Sequence, residues 1–246
     1  MFNTLPILSM MLGPGIDMKY LILMGVCSAV SFVVSNNLKS RFKKYSQIPV
    51  RLSGAEIAHK MLSDSGISDV QIISTPGQLT DHYNPMDKTV NLSEVVYHQR
   101  NAAAAAVAAH EVGHAIQHAR AYKWLGMRSK LVPMLKFGSG AAPMLIMIGL
   151  GLMTVGSMSG LGSLAALAGI VLFSLTTLFS FVTLPVEFDA SNRAMDWIKS
   201  SGVMGSMEAS KARSALNAAA STYVVGALTS LAQLIYFISL FMSRRD

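Results

Sequence analysis

His110, Glu111 and His114 form an H-E-x-x-H pattern inside the stretch NAAAAAVAAHEVGHAIQHAR. Residues four apart on a helix lie about 40° apart in azimuth and one turn apart in height, so both imidazoles can face one ion. Glu111 is rotated by about 100° from His110, where a carboxylate flanks a metal-held water without ligating the metal. Such a metal lowers the pKa of the water and polarises a carbonyl, while the carboxylate takes a proton and returns it to a leaving amine. Ala106, Val107, Ala109, Val112, Gly113 and Ala115 give the motif a small, apolar setting, in which imidazoles need partners. The alternative is a pair of half-exposed histidines on an ordinary surface helix.

A catalytic zinc site takes three protein ligands and keeps one position open. His118 is one turn beyond His114, but eight residues from His110 is about 12 Å of helix, against zinc–nitrogen bonds of about 2 Å. It is therefore expected to support a ligand or to lie at the surface. The longer motif with a glycine and a later histidine fails as well, because that later position is Arg120. The third ligand must come from elsewhere.

The composition says what has to carry it. Of 246 residues, 52% are hydrophobic and only 13% charged, and the mean hydropathy is +0.44. That is about half the charge of an ordinary soluble domain, and long apolar runs account for it, so the fold class expected is a mainly α integral membrane protein. The net charge of +7 comes from Lys and Arg flanking apolar runs, which speaks for a membrane and against nucleic acid. Cys27 is the single cysteine, which excludes an intrachain disulfide and a cysteine zinc cluster.

Four spans are expected: residues 20–35, 141–157, 161–184 and 223–242. The first is short, and a cleaved signal peptide is its alternative; the absence of an N-terminal basic cluster favours a retained anchor. Gly149, Gly151, Gly156, Gly160 and Gly162 predict close helix packing in a hairpin of the second and third spans. Between the first and second spans the chain is mixed. Ser53 and Glu56 predict a capping box on a short helix ended by Gly66. Residues 69–73 predict a strand, residues 80–93 a strand–turn–strand, and Ser93 the start of a helical stretch leading into the motif. This is a small α+β domain of zincin-like type. The division expected is 1–36, N-terminal segment and first span; 37–133, metallopeptidase domain; 134–184, hairpin; 185–222, a helix with the third ligand; and 223–246, fourth span and basic tail.

The hairpin returns the chain to the motif's side at LPVEFDASNRAMDW. Pro185 predicts a helix start with Glu187 in its first turn, and Ala190 is small enough to let that helix approach the motif. Glu187 is the expected ligand and Asp189 the runner-up; the alternative is that Glu187 is a helix N-terminal charge at the membrane surface. Lys39, Arg41, Lys43, Lys44, Arg128, Lys130, Arg193, Lys199, Lys211 and Arg213 outnumber the basic residues on the other side. The polar domain is therefore expected in the cytoplasm, with both termini outside, although Arg244 and Arg245 argue against the latter.

LTDHYNPMDKTVNLSEVVY, AAVAAHEVGHAIQHARAY and LPVEFDASNRAM resemble the YugP-like family of membrane zinc metallopeptidases over nearly the whole chain. The chain is also distantly similar to the HtpX and Ste24 membrane proteases. The resemblance implies a gluzincin of the plasma membrane: His110, His114 and Glu187 on Zn2+, with Glu111 as general base. In the HtpX pattern an acidic residue four places after the ligand glutamate orients a histidine. Here that residue is Ser191, so Asp189, Ser191 or Asn192 are the candidates for that task.

In related metalloproteases a strand before the motif helix pairs with extended substrate, which here implies residues 81–84 or 89–92. His82, Tyr83, Tyr122 and Arg193 are candidate donors to the oxyanion. The function expected is zinc-dependent hydrolysis of peptide bonds in membrane-associated or misfolded proteins. The alternative is a non-catalytic membrane scaffold or adaptor with a structural or vestigial zinc site. The partners expected are a polypeptide substrate and the lipid bilayer, without nucleic acid, and a homo-oligomer or a membrane-protein partner is compatible with both readings.

Overall fold

A computed structural model describes residues 17–138 and 140–245. Sequence expectations about the amino-terminal segment before residue 17 and about Asp246 lie outside the described residues. The chain divides into two compact units.

One unit comprises residues 33–127 and 183–223. Its helices are the end of α1 (Met18–Tyr45), then α2 (Gly54–Asp64), α3 (Glu94–His98), α4 (Ala102–Ala119), the end of α7 (Ser159–Ser201) and the start of α8 (Ser206–Arg245). Ser53 and Glu56 make the capping box reciprocally, and Gly66 follows α2 at a φ of +71°. Strands β1 (Gln71–Thr75), β2 (His82–Asn84) and β3 (Thr89–Ser93) form a sheet in the order β1-β3-β2, with β1 parallel and β2 antiparallel to β3. The first strand thus starts two residues later than expected.

The helical stretch expected from Ser93 onward is broken. Helix α3 ends at His98, Gln99 is extended, and Asn101 caps α4 by accepting from the Ala104 amide at 2.8 Å. An asparagine side chain offers that orphan amide a partner, so the chain restarts there rather than running through. Helix α4 is buried along most of its length, and its alanines pack with Ile57, Met61, Val90 and Leu92 on one side and with Ala194, Met195 and Ile198 of α7 on another. Methyl side chains let these helices approach closely without losing helix propensity.

A second correction concerns Pro185. It does not start a helix: α7 runs unbroken from Ser159 to Ser201 with Pro185 inside it. Glu187 is therefore an interior helix residue, which removes its reading as an N-terminal charge. Proline costs the helix a hydrogen bond. The turn around it gains others, because Val186 O accepts from Gln117 Nε2 at 2.7 Å.

Among the described residues, the other unit comprises 17–32 together with those of 128–182 and 224–245. It holds the first part of α1, most of α5 (Lys123–Gly138), α6 (Ala141–Leu152), a 3-10 turn (Gly156–Met158), the apolar part of α7 and the end of α8. Ala142, Ile146 and Leu150 of α6 pack on Ala166, Ile170 and Phe173 of α7 and Phe237 and Phe241 of α8. The hairpin glycines divide in role. A Cβ on Gly149 would lie 2.2 Å from Ala166 N, and one on Gly162 would lie 2.5 Å from Met153 N, so both mark backbone-to-backbone contacts. Gly156 and Gly160 face open space and pack against nothing.

Among the described residues, α1, α7 and α8 are long and apolar enough to cross a membrane. A fourth crossing exists only if α5 and α6, bent by 54°, count as one span. Helix α6 stops at Leu152, short of the expected 157, and 12 residues reach only about 18 Å of a hydrocarbon core of about 30 Å. The first span is longer than expected, because the basic stretch after Asn36 continues α1 to Tyr45. Ile22, Val26, Phe32, Leu164, Leu167 and Val171 are exposed apolar side chains, as a lipid-facing surface requires.

The contact of α4 with α7 gives a stability test. A Cβ on Gly113 would lie 2.6 Å from Ala190 O and 3.0 Å from Ala190 Cα. Gly113→Ala is expected to lose about 1–3 kcal/mol by overpacking, more than the roughly 1 kcal/mol gained in helix propensity. Gly126→Ala, in open space on α5, should gain up to about 1 kcal/mol and serves as the control. Thermal melts in detergent check both; equal shifts for the two would show that α4 and α7 do not meet there.

Candidate metal centre

His110 and His114 stand one turn apart on α4, with ring centroids 4.7 Å apart and planes at 82°. Glu187 of α7 comes between them: its Oε2 is 3.2 Å from His110 Nε2 and 3.7 Å from His114 Nε2. Glycine at 113 and alanine at 190 allow the two helices to come close enough for this. Within this group each residue offers a ligand atom, and the three atoms lie within 4.8 Å of one another. Two imidazoles and a carboxylate, all nearly buried, converge on one point, and this is a donor set that zinc takes. Glu187 is only 3% exposed, a cost for a carboxylate that positive or donor partners must offset.

The surrounding charges act on His114. Burial works against its charged form, but bonding to Glu187, the charges of Glu111 and Glu187, and the contact with Gln117 outweigh this and raise its pKa above the ordinary histidine value. Glu111 is buried next to the cluster without belonging to it. It lines, with His110, Glu187 and Ser191, a cavity of about 160 Å³ whose walls include Phe42, Val107 and Leu216.

The outer nitrogens of both imidazoles are engaged. His110 Nδ1 is 3.1 Å from Ser191 Oγ, and His114 Nδ1 is 3.0 Å from Gln117 Oε1. Gln117 Nε2 in turn donates to Asp189 Oδ2 at 2.8 Å, and Arg193 Nε donates to the same oxygen at 2.6 Å. Asp189 thus faces Gln117 and Arg193 rather than the three converging atoms. Asn192 is exposed. His118 lies away from the cluster, its Nδ1 2.7 Å from Tyr83 Oη.

None of the four candidate oxyanion donors lines the cavity. His82 Nδ1 donates to Thr80 O at 2.7 Å. Tyr83 holds His118, Tyr122 Oη donates weakly to Pro185 O at 3.5 Å, and the Arg193 guanidinium lies 5.9 Å from the Tyr122 ring centre. Of the two strands considered for substrate pairing, β3 is bonded on both sides, so only β2 keeps a free edge among the described residues.

One residue of this neighbourhood escaped the sequence reading: Gln117 stands three residues after His114, a spacing that places side chains together on a helix and could have flagged it. Asp81, read from the sequence only as the start of a candidate substrate strand, lines the cavity and accepts from the amide of Ser93 at 2.7 Å.

The chain matches, over residues 20–242, the protein family described as "Putative neutral zinc metallopeptidase". It is 42% identical over 231 residues to the "Putative membrane protease YugP" of Bacillus subtilis (strain 168), covering 93% of this chain and 99% of that protein. No solved structure matches the chain.

Zinc content tests the cluster directly. The purified protein is expected to hold about one zinc per chain, and His110→Ala or His114→Ala to lose most of it. Metal analysis after gel filtration measures this; stoichiometric zinc in both variants would place the metal elsewhere.

Proposed function

We propose that this chain, which belongs to the zinc metallopeptidase family it matches over residues 20–242, is a multi-pass membrane endopeptidase of gluzincin type. In this reading His110, His114 and Glu187 hold zinc, and Glu111 is the general base. What carries it is one juxtaposition: three ligand atoms within 4.8 Å of one another, beside a second acidic side chain, Glu111, that lines the cavity with His110 and Glu187 and does not belong to the cluster.

Zinc, when bound, supplies the Lewis acidity that polarises the scissile carbonyl and acidifies the attacking water. The chain's own residues do the rest. The Glu111 carboxylate takes a proton from that water as it attacks the carbonyl carbon, then delivers the proton to the amine nitrogen as the peptide C–N bond breaks. Ser191 and Gln117 hold the outer nitrogens of the two imidazoles, so each ring keeps its inner nitrogen on the cluster. The free edge of β2 suits an extended polypeptide, which would then run past His82 and Tyr83. A membrane-associated or misfolded polypeptide fits a hydrolytic centre in a chain with several apolar helices.

The proposal keeps the four-span arrangement, with α5 and α6 together as the second crossing, and the five segments divided at residues 36, 133, 184 and 222. It also places the hydrolytic domain in the cytoplasm. The support is the excess of Lys and Arg after the first span and around residues 193–213.

Two experiments check this. Glu111→Gln keeps shape and removes the proton acceptor, so zinc should stay and peptide hydrolysis fall by about 10²–10⁴-fold. Glu187→Gln should lose zinc and activity together. Full turnover in Glu111→Gln would end the hydrolase mechanism, and tight zinc in Glu187→Gln with loss in Asp189→Asn would move the third ligand to Asp189. Separately, reporter fusions at residue 90 and at the C-terminus should report opposite sides of the membrane, with residue 90 inside. A translocated residue 90 would reverse the orientation.

A further inference from the structure

Gln117 is completely buried, in the last turn of a helix whose other buried positions are mostly alanine, valine or isoleucine. A buried primary amide without partners is costly, and alanine would serve packing alone. Its three contacts explain it. The nitrogen faces Val186 O at 2.7 Å and Asp189 Oδ2 at 2.8 Å, and the oxygen faces His114 Nδ1 at 3.0 Å.

Those contacts leave one arrangement of hydrogens. A backbone carbonyl can only accept, and a carboxylate held by Arg193 accepts as well. The Gln117 amide must therefore turn its NH2 toward both. Flipping it would set its oxygen against two acceptors. With Oε1 fixed toward His114, the Nδ1 of that ring must carry the hydrogen, whether the imidazole is neutral or charged. His110 has no such lock, because the Ser191 hydroxyl can either donate or accept.

We infer that Gln117 is a positioning residue which fixes His114 as the Nδ1–H tautomer and ties its ring to α7 through Val186 and Asp189, so that Nε2 presents its lone pair to the metal. The inference rests on His114 being a zinc ligand, as proposed above. Gln117 itself touches neither metal nor substrate. Asp189 and Arg193 belong to the same device: Arg193 holds the carboxylate that holds the amide. The coupling also aligns the two helices that carry ligands, because Gln117 bonds to residues one before and two after Glu187.

The test is zinc affinity of the full chain in detergent, by competition with a chromogenic chelator, alongside thermal melts of the metal-free proteins. Gln117→Leu removes the acceptor for Nδ1–H and should lower zinc affinity by about 10–100-fold, the usual effect of losing such a partner. The tautomer is read directly from the imidazole 15N shifts of His114 in the metal-free protein at alkaline pH: the parent should show the Nδ1–H form, and Gln117→Leu or the similarly sized Gln117→Met should lose that preference, which a role in packing alone would not move. If Gln117→Leu fails to fold, Gln117→Met and the parent's own shifts carry the test. An Nε2–H form in the parent, or parent-like affinity in a folded Gln117→Leu or Gln117→Met, overturns the inference. A parent protein that binds no zinc, or His114→Ala that binds it as tightly, would instead overturn the ligand assignment beneath it.

Discussion

A carboxylate buried between two imidazoles is the interaction around which the rest of this unit is built. Glu187 is almost inaccessible, and ring nitrogens of two histidines on another helix stand 3.2 and 3.7 Å from its Oε2. That geometry requires α4 and α7 to approach until backbone meets backbone. Gly113 and Ala190 are the residues at the point of contact, and any side chain at 113 would strike the Ala190 carbonyl. Large side chains there would separate the helices by more than the hydrogen-bond distances across the cluster can absorb. The alanine run before the motif continues the same provision toward the amino terminus of α4.

The local part of this arrangement is legible in the sequence, because helix periodicity alone brings His110 and His114 together and turns Glu111 aside. The distant part is legible only through connectivity. Glu187 could be singled out because a hairpin must bring the chain back to its starting side, not because any spacing pointed to it. Pro185 misled for a physical reason. Proline suits a helix start and is disfavoured within one, so pattern reading ends the apolar helix there. Val182 and Thr183 before it and Val186 after it are instead buried, and the helix continues through to Ser201. The lengths of α1 and α6 were misjudged in opposite directions. Charge marked an end where the backbone stayed helical, and apolar composition ran on where the backbone turned. Gln117 is only half legible: its spacing from His114 is local, but its other partners, Val186 and Asp189, lie 69 and 72 residues later.

The two units use small residues for different physical ends. Apolar helices within lipid gain nothing hydrophobic by meeting, so their association rests on close van der Waals contact. Gly149, Gly162 and Gly169 provide it by letting main chains touch. Hydrogen bonds add to it: Thr177 and Ser230 meet at 2.7 Å between α7 and α8, and Arg244 gives its guanidinium to Leu150 O, one of the last carbonyls of α6. That second bond explains a basic residue at the end of α8 on grounds of helix termination, since the final carbonyls of a helix lack partners of their own. Arg244 therefore weighs less in deciding membrane orientation than its charge alone suggests. In the other unit, Gly113 and Ala190 bring α4 and α7 together beside the cluster. Their smallness lets three polar side chains converge in an apolar surrounding, a placement that costs stability unless a cation completes it. Small residues among alanines and valines around a histidine pair are thus better explained by the chemistry they admit than by the core they fill.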